Sequence, residues 1–293
     1  MTTRPQIPPG VPVFMPRACK VTLLVFAAFV LSTATVHAQS ADPKDPREAQ
    51  PERPTVATHA FTVAPGILEL ESGGLHQPLD ASVSLVAVPV LFKIGLGSRV
   101  QLDVAPGWLQ TTDHGVKTAG LTDLSLGVKW RLFDHAPLLG AFALQPTVSV
   151  ATGSVADGTG IGTGSVSVLA ISSHALGPIA LDLNAGYTHR GGDGSIVPRD
   201  ATVWTISTGF PVAGRLGWCA ELFGYPRTHG LSGEAGIVGF LTGPTFNLHK
   251  SLVADVGVVL DLANLGGTQV YAGVTWNMGH AWKPRSRQTP TTK

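Results

Sequence analysis

From about residue 66 to residue 278, apolar and polar side chains alternate one by one, in segment after segment. In 121–133, Leu124, Leu126, Val128, Trp130 and Leu132 share one face, with Asp123, Ser125, Gly127, Lys129 and Arg131 on the other. In 179–189, Ile179, Leu181, Leu183, Ala185 and Tyr187 alternate with Ala180, Asp182, Asn184, Gly186 and Thr188. The pattern returns in 251–261, where Leu252, Val256 and Leu260 oppose Asp255, Gly257 and Asp261, and in 269–278, where Val270, Val274 and Trp276 oppose Tyr271, Gly273 and Thr275. A period of two belongs to strands whose two faces meet different surroundings. The spacing predicts twelve strands: 67–75, 82–94, 99–109, 121–133, 138–152, 164–175, 179–189, 201–212, 216–226, 234–246, 251–261 and 269–278. Pro89, Pro146 and Pro244 fall inside strands, where each removes a ladder donor, and bulges are expected there.

Alternation alone fits a soluble sandwich as well as a membrane barrel. Three features favour the barrel. Short connections (95–98, 134–137, 176–178, 213–215, 247–250) alternate with longer ones (110–120, 153–163, 190–200, 227–233), the asymmetry of outer-membrane barrels. Aromatic residues gather at strand ends, with Trp130, Phe210, Trp218 and Trp276 toward the short turns and Trp108, Tyr187 and Trp204 toward the long loops, as a membrane-interface girdle requires. Charged residues make up only 13% of the chain, about half the usual share for soluble domains, roughly 25%. An Arg or Lys facing mid-bilayer costs about 2–4 kcal/mol, so lipid accounts for that scarcity. Backbone groups in lipid must be paired internally, and the sheet therefore closes. The expectation is an all-β, transmembrane antiparallel barrel of about 12 strands in the outer membrane, with lipid around it and both ends on the periplasmic side.

The domain reading has four parts. Residues 1–38 read as a signal peptide: Arg4, Arg17 and Lys20 precede an apolar stretch from Val21 to Leu31, and the segment ends Val36-His37-Ala38. Residues 39–65, rich in Pro and charge and without periodicity, are expected to be a flexible periplasmic segment. Residues 66–278 form the barrel, and 279–293 a basic, mobile tail. Beyond the leader, Cys219 is the single cysteine, so no intramolecular disulfide frame is expected. The low charge also speaks against a nucleic-acid partner.

Several stretches resemble the meta-pathway phenol-degradation family of outer-membrane barrels, which are treated as porin-like transporters. The resemblance rests on Pro65-Gly66-Ile67-Leu68-Glu69-Leu70-Glu71, on Gly95-Leu96-Gly97-Ser98-Arg99-Val100, and most specifically on the run from Gly120 to Leu132. Thr152-Gly153-Ser154, Leu183-Asn184-Ala185-Gly186-Tyr187, Glu221-Leu222-Phe223-Gly224, Asp255-Val256-Gly257 and Tyr271-Ala272-Gly273-Val274-Thr275-Trp276 follow in order. It implies passive uptake of a small-molecule substrate, aromatic or hydrophobic, and the outer-membrane insertion machinery as a partner. A structural or adhesive barrel with a plugged lumen is the alternative reading, and an outer-membrane hydrolase a more distant one.

No enzyme is expected, and no cofactor or metal. His-Glu-x-x-His, Cys-x-x-Cys and Gly-x-Ser-x-Gly are absent from the sequence. The Gly-rich run 158–164 lacks the Gly-Lys-Ser/Thr ending of a phosphate loop. Ser173 and His174 are adjacent, and neighbours on a strand point to opposite faces. The candidate functional residues are therefore charges on the inner face: Asp123, Lys129, Arg131, Asp182, Glu221 and Asp255. They either pair with one another across a narrow lumen or form a selective constriction.

Overall fold

The computed structural model describes residues 45–282. The expected signal peptide and all but the first residues of the basic tail lie outside this range. Fourteen strand elements follow one another, with no helix among the described residues. They are β1 (Ile67–Pro78), β2 (Val83–Gly97), β3 (Val100–Ala105), β4 (Gly107–Asp113), β5 (Val116–Leu121), β6 (Leu124–Ala136) and β7 (Gly140–Val150). The second half comprises β8 (Ser165–Leu176), β9 (Ile179–Arg190), β10 (Asp200–Ala213), β11 (Leu216–Tyr225), β12 (Ile237–His249), β13 (Leu252–Ala263) and β14 (Gln269–His280). All pairings are antiparallel: β3 lies between β2 and β6, β4 between β2 and β5, the other elements pair with their neighbours in sequence, and β1 pairs with both β2 and β14, which closes the sheet.

The fourteen elements make twelve barrel strands. β3 and β4 keep one register against β2, with Phe92 opposite Val104 and Val88 opposite Trp108, and only Pro106 divides them. β5 and β6 likewise continue one another. Ala105 faces Ser125 and Trp108 faces Leu121, so the step from 121 to 125 contains one residue more than the step from 105 to 108. That surplus is a bulge at Thr122–Asp123. Pro146 and Pro244, where bulges were expected, stay in register opposite Val168 and Trp218. The expected loop 110–120 is mostly strand as well. β4 and β5 form a hairpin turning at His114 and Gly115, both at positive φ (48° and 84°), the geometry of a two-residue hairpin turn.

The wall is apolar outside, and its inner face is largely polar with apolar patches. On β6 the buried residues Gly127, Lys129 and Arg131 alternate with exposed Leu126, Val128 and Trp130. Lys129 is 0% exposed while its neighbour Trp130 is 54% exposed. Leu183, Ile206, Val256, Val274 and Trp276 continue the exposed apolar face around the sheet. An exterior of this kind suits acyl chains, where the apolar side chains cost nothing and buried backbone groups stay paired in the ladder. Accordingly, Leu126→Arg or Val256→Arg lowers the stability of the barrel in vesicles by about 2–4 kcal/mol, read as a lower urea midpoint. Leu248→Arg, beside a short turn, has a much smaller effect.

Candidate functional site

Residues 45–65 have no strand of their own. They begin beside the 249–252 turn, where the Ala49 amide donates to the Lys250 carbonyl (2.8 Å) and Lys250 Nζ meets Asp45 Oδ2 (2.7 Å). Lys250 and Arg47 hold the Asp45 carboxyl well below the usual carboxylate range. The segment ends beside another short turn, where Thr62 Oγ1 donates to the Ser98 carbonyl (3.4 Å) and the Gly66 amide to that of Gly95 (2.8 Å). Between these points it loops through the lumen from the short-turn end. The expectation of a flexible segment over 39–65 is therefore corrected for 45–65: Ala57, Ala60 and Val63 are 2%, 0% and 1% exposed.

The physical reason lies in the wall. An extended segment inside a pore cannot leave its amides without acceptors, and wall side chains supply them in turn. Glu69 Oε2 accepts the Gln50 amide (2.9 Å) and Glu71 Oε1 that of Glu52 (2.8 Å). The two oxygens of Glu221 accept the Val56 and Ala57 amides at 2.7 and 2.6 Å. Asn184 takes the Thr58 amide at 2.7 Å and returns a bond to the Thr58 carbonyl at 3.0 Å. Ser173 Oγ accepts from Ala60 (2.8 Å) and Gln101 Oε1 from Val63 (2.9 Å). Hydrogen bonds to charged acceptors are worth roughly 1.5–3 kcal/mol each.

Ion pairs reinforce the seat. Lys93 Nζ sits 2.6 Å from both Glu69 and Glu71 and 2.5 Å from the Gln50 carbonyl. Lys129 Nζ contacts Glu52 and donates to Thr58 Oγ1 (2.7 Å) and the His59 carbonyl (3.1 Å). Arg53 pairs with Asp255 at 3.2 Å and lies against Gly73 and Gly273, which face each other on β1 and β14. A Cβ at either glycine would collide with its guanidinium. Phe61 packs on Ala141, Ala143 and Ile171 of β7 and β8, and the Arg131 guanidinium stands 5.4 Å from its ring centre.

The six charges singled out in the sequence have different partners. Lys129, Glu221 and Asp255 bind the inserted segment, as above. Arg131 donates to the Ser98 carbonyl (2.9 Å), and its Nε lies 3.1 Å from Asp134. Asp182 accepts from Ser173 Oγ at 2.5 Å. Asp123, on the bulge, accepts the amides of Gly153 (2.9 Å) and Ile161 (3.0 Å) and so pins the loop after β7. Glu69, Glu71, Lys93, Gln101, Asn184 and Ser173 were missed as a docking set.

Among the girdle residues, Trp130, Tyr187, Trp218 and Trp276 are exposed, while Trp108, Trp204 and Phe210 are partly covered. Trp218 Nε1 donates to Thr242 Oγ1 at 2.8 Å. Ser173 and His174 form no pair; instead Ser172 Oγ lies 2.9 Å from His174 Nε2 and donates to the Leu139 carbonyl at 2.7 Å. Among the described residues no group of His, Cys, Asp and Glu is placed to hold a metal ion.

On the loop side of the inserted segment lies a cavity of about 460 Å³. Arg53–Thr58 line one part of it; Leu75, Leu91, Leu169, Phe223, Leu241, Val259 and Tyr271 supply much of the rest, with Glu71, Gln145 and Gln269 among them. Cys219, Phe223, Leu241, Val259 and Tyr271 pack as one apolar cluster of the inner wall. An apolar cavity of about 150 Å³ already holds a benzene molecule. Lys129→Met leaves Glu52 buried beside one cation fewer, at a cost of about 3–5 kcal/mol. A cysteine introduced at Ala57 in that background is expected to react with a periplasmic thiol reagent at least about tenfold faster than in the parent, since about 1.4 kcal/mol already corresponds to a factor of ten.

No protein-family model matches the chain, and no curated protein matches it. Solved structures do. An outer-membrane channel from Pseudomonas putida F1 superposes with a TM-score of 0.60 at 13% identity, over 81% of this chain and 100% of that one. Toluene transporters of Ralstonia pickettii and Pseudomonas putida align with TM-scores of 0.43 and 0.42 at 9% identity. The alignments cover 76% and 79% of this chain, and 92% and 96% of theirs. The chain thus has the fold of an outer-membrane β-barrel channel.

Proposed function

We propose that the protein is a porin-like outer-membrane channel for passive uptake of small aromatic or hydrophobic compounds. The observation that carries this reading is the apolar cavity inside a closed barrel, bounded by the inserted segment. An ordinary porin lumen is polar and water-filled. Here Leu75, Leu91, Phe223, Leu241 and Val259 turn apolar surface inward beside the Tyr271 ring. Water gains little from wetting such a wall, so an apolar solute enters it favourably at about 25 cal/mol per Å² of apolar surface removed from water. The finer likeness to phenol-degradation barrels, drawn from the motifs along 65–278, points to the same class of solute.

The mechanism asks only for a gradient. Long loops at the outer end receive the solute, and the loop after β7, held by Asp123, narrows that entrance. The solute then partitions into the cavity against Phe223 and Tyr271. Exit to the periplasm requires space past residues 49–63, either around the segment or by its displacement. Export through a leader and folding by the outer-membrane insertion machinery belong to the same proposal.

A second reading has its own observation. The lower lumen is filled by a hydrogen-bonded segment and its ion pairs, which suits a structural barrel with a plugged lumen. Uptake measurements separate the two. Liposomes containing the purified protein should accumulate toluene or phenol faster than empty ones, while taking up a far more polar solute of similar mass, such as glycerol, no faster than empty ones. Phe223→Lys should reduce the aromatic rate several-fold with the barrel still heat-modifiable on gels. Equal aromatic uptake with and without protein would leave the structural reading in place.

A further inference from the structure

One polar side chain of the inserted segment is buried without bonding to anything. His59 is 3% exposed, and neither of its ring nitrogens has a hydrogen-bond partner among the described residues. The ring stands 6.0 Å from that of Phe61. The Gln50 carbonyl lies beside it, but that oxygen already takes Lys93 Nζ at 2.5 Å. A buried N–H left unpaired costs about 1–3 kcal/mol, so an apolar side chain of similar size would hold the segment at least as well.

The charges around the ring give the histidine a different use. Lys129 Nζ, on β6, donates to the His59 carbonyl at 3.1 Å, and Lys93 Nζ, on β2, lies 3.9 Å from Glu52. These two ammonium groups and the carboxylate of Glu52 are the charges that act on the imidazole. The other lumen charges are engaged elsewhere. Glu69 and Glu71 of β1 are bound to Lys93, and Asp103 of β3 accepts from Gln101 and Gln145. Asp182 of β9 accepts from Ser173, Glu221 of β11 takes the Val56 and Ala57 amides, and Arg131 of β6 pairs with Asp134. An imidazolium at position 59 would be a third cation facing one carboxylate, with no acceptor for either N–H. Burial, and after it Lys129, keeps the docked ring neutral.

We infer that His59 is a proton-operated latch: the segment stays docked while the imidazole is neutral and leaves its seat when the imidazole is charged. In water the ring takes a proton near pH 6.5. The released ring then binds a proton that the docked ring does not, so docking is at full strength above about pH 6.5 and weakens as the pH falls below it. The release constant rises by up to about tenfold per unit, or about thirtyfold between about pH 7.5 and about pH 5.0. The latch concerns the docking of residues 49–63 and holds whether the barrel passes aromatic solutes or none.

The test uses the full chain in lipid nanodiscs, with Ala57→Cys in one preparation and Leu138→Cys, on an exposed turn, in another; the buried Cys219 is common to both. The labelling rate at 57 by a charged methanethiosulfonate, divided by that at 138 at the same pH, reads the released fraction free of the thiol's own titration. Between about pH 7.5 and about pH 5.0 this ratio should rise about thirtyfold more in the parent than in His59→Gln or His59→Phe, which keep every other titrating group. Equal pH profiles in the parent and both variants would overturn the latch. A second measurement needs no variant at 59. The imidazole carbon resonance of His59, assigned through its contact with Phe61, should hold its neutral-form position in the docked population down to about pH 5.0. An imidazolium signal from a docked segment would overturn the proposal as well.

Discussion

A chain threaded through a pore must satisfy its own amides, and almost everything inside this barrel follows from that requirement. Residues 49–63 make no ladder, so each buried N–H needs an acceptor from the wall. Glu69, Glu71, Gln101, Ser173, Asn184 and Glu221 provide one after another around the circumference. Carboxylates brought into such a place need cations, and Lys93 and Lys129 are buried in consequence. The inner face carries its acceptors and cations in the lower half, where the segment lies, beside one apolar patch that takes Phe61. Nearer the long loops, beyond the segment's reach, it turns apolar.

The same strands answer to lipid on their other face. A side chain that moves one position along a strand changes from one environment to the other, so Lys129 and Trp130 meet opposite demands as neighbours. The ladder tolerates Pro146 and Pro244 without losing register, because a missing donor costs a bond and not an alignment. The surplus residue at Thr122–Asp123 does shift the ladder, and its effect is to present a carboxylate to the loop after β7. Closure, alternation and the bulge at Thr122–Asp123 together place the polar seat, the apolar cavity and the outer loop along one lumen.

The barrel was legible in the sequence because alternation and scarce charge are local signals, written in every strand. Twelve strands and their connectivity could be counted from 67 to 278. The hairpin 107–121 was obscured by His114 and Gly115, which read as a loop although they make a two-residue turn. The inserted segment was invisible for a different reason. Its Pro and mixed charges look like a linker, and what orders it is held by side chains more than a hundred residues away, such as Asn184 and Glu221. One trace was present: acids outnumber bases 15 to 10 between residues 66 and 278, more acceptors than the wall's own cations could occupy.

Amide hydrogen exchange on the protein in outer-membrane-like vesicles addresses the docked segment directly. Peptides covering residues 49–63 should exchange as slowly as the β1 and β11 strands that hold them, and far more slowly than the 191–199 loop. Exchange of 49–63 within seconds, at the rate of that loop, would contradict a segment held by the wall.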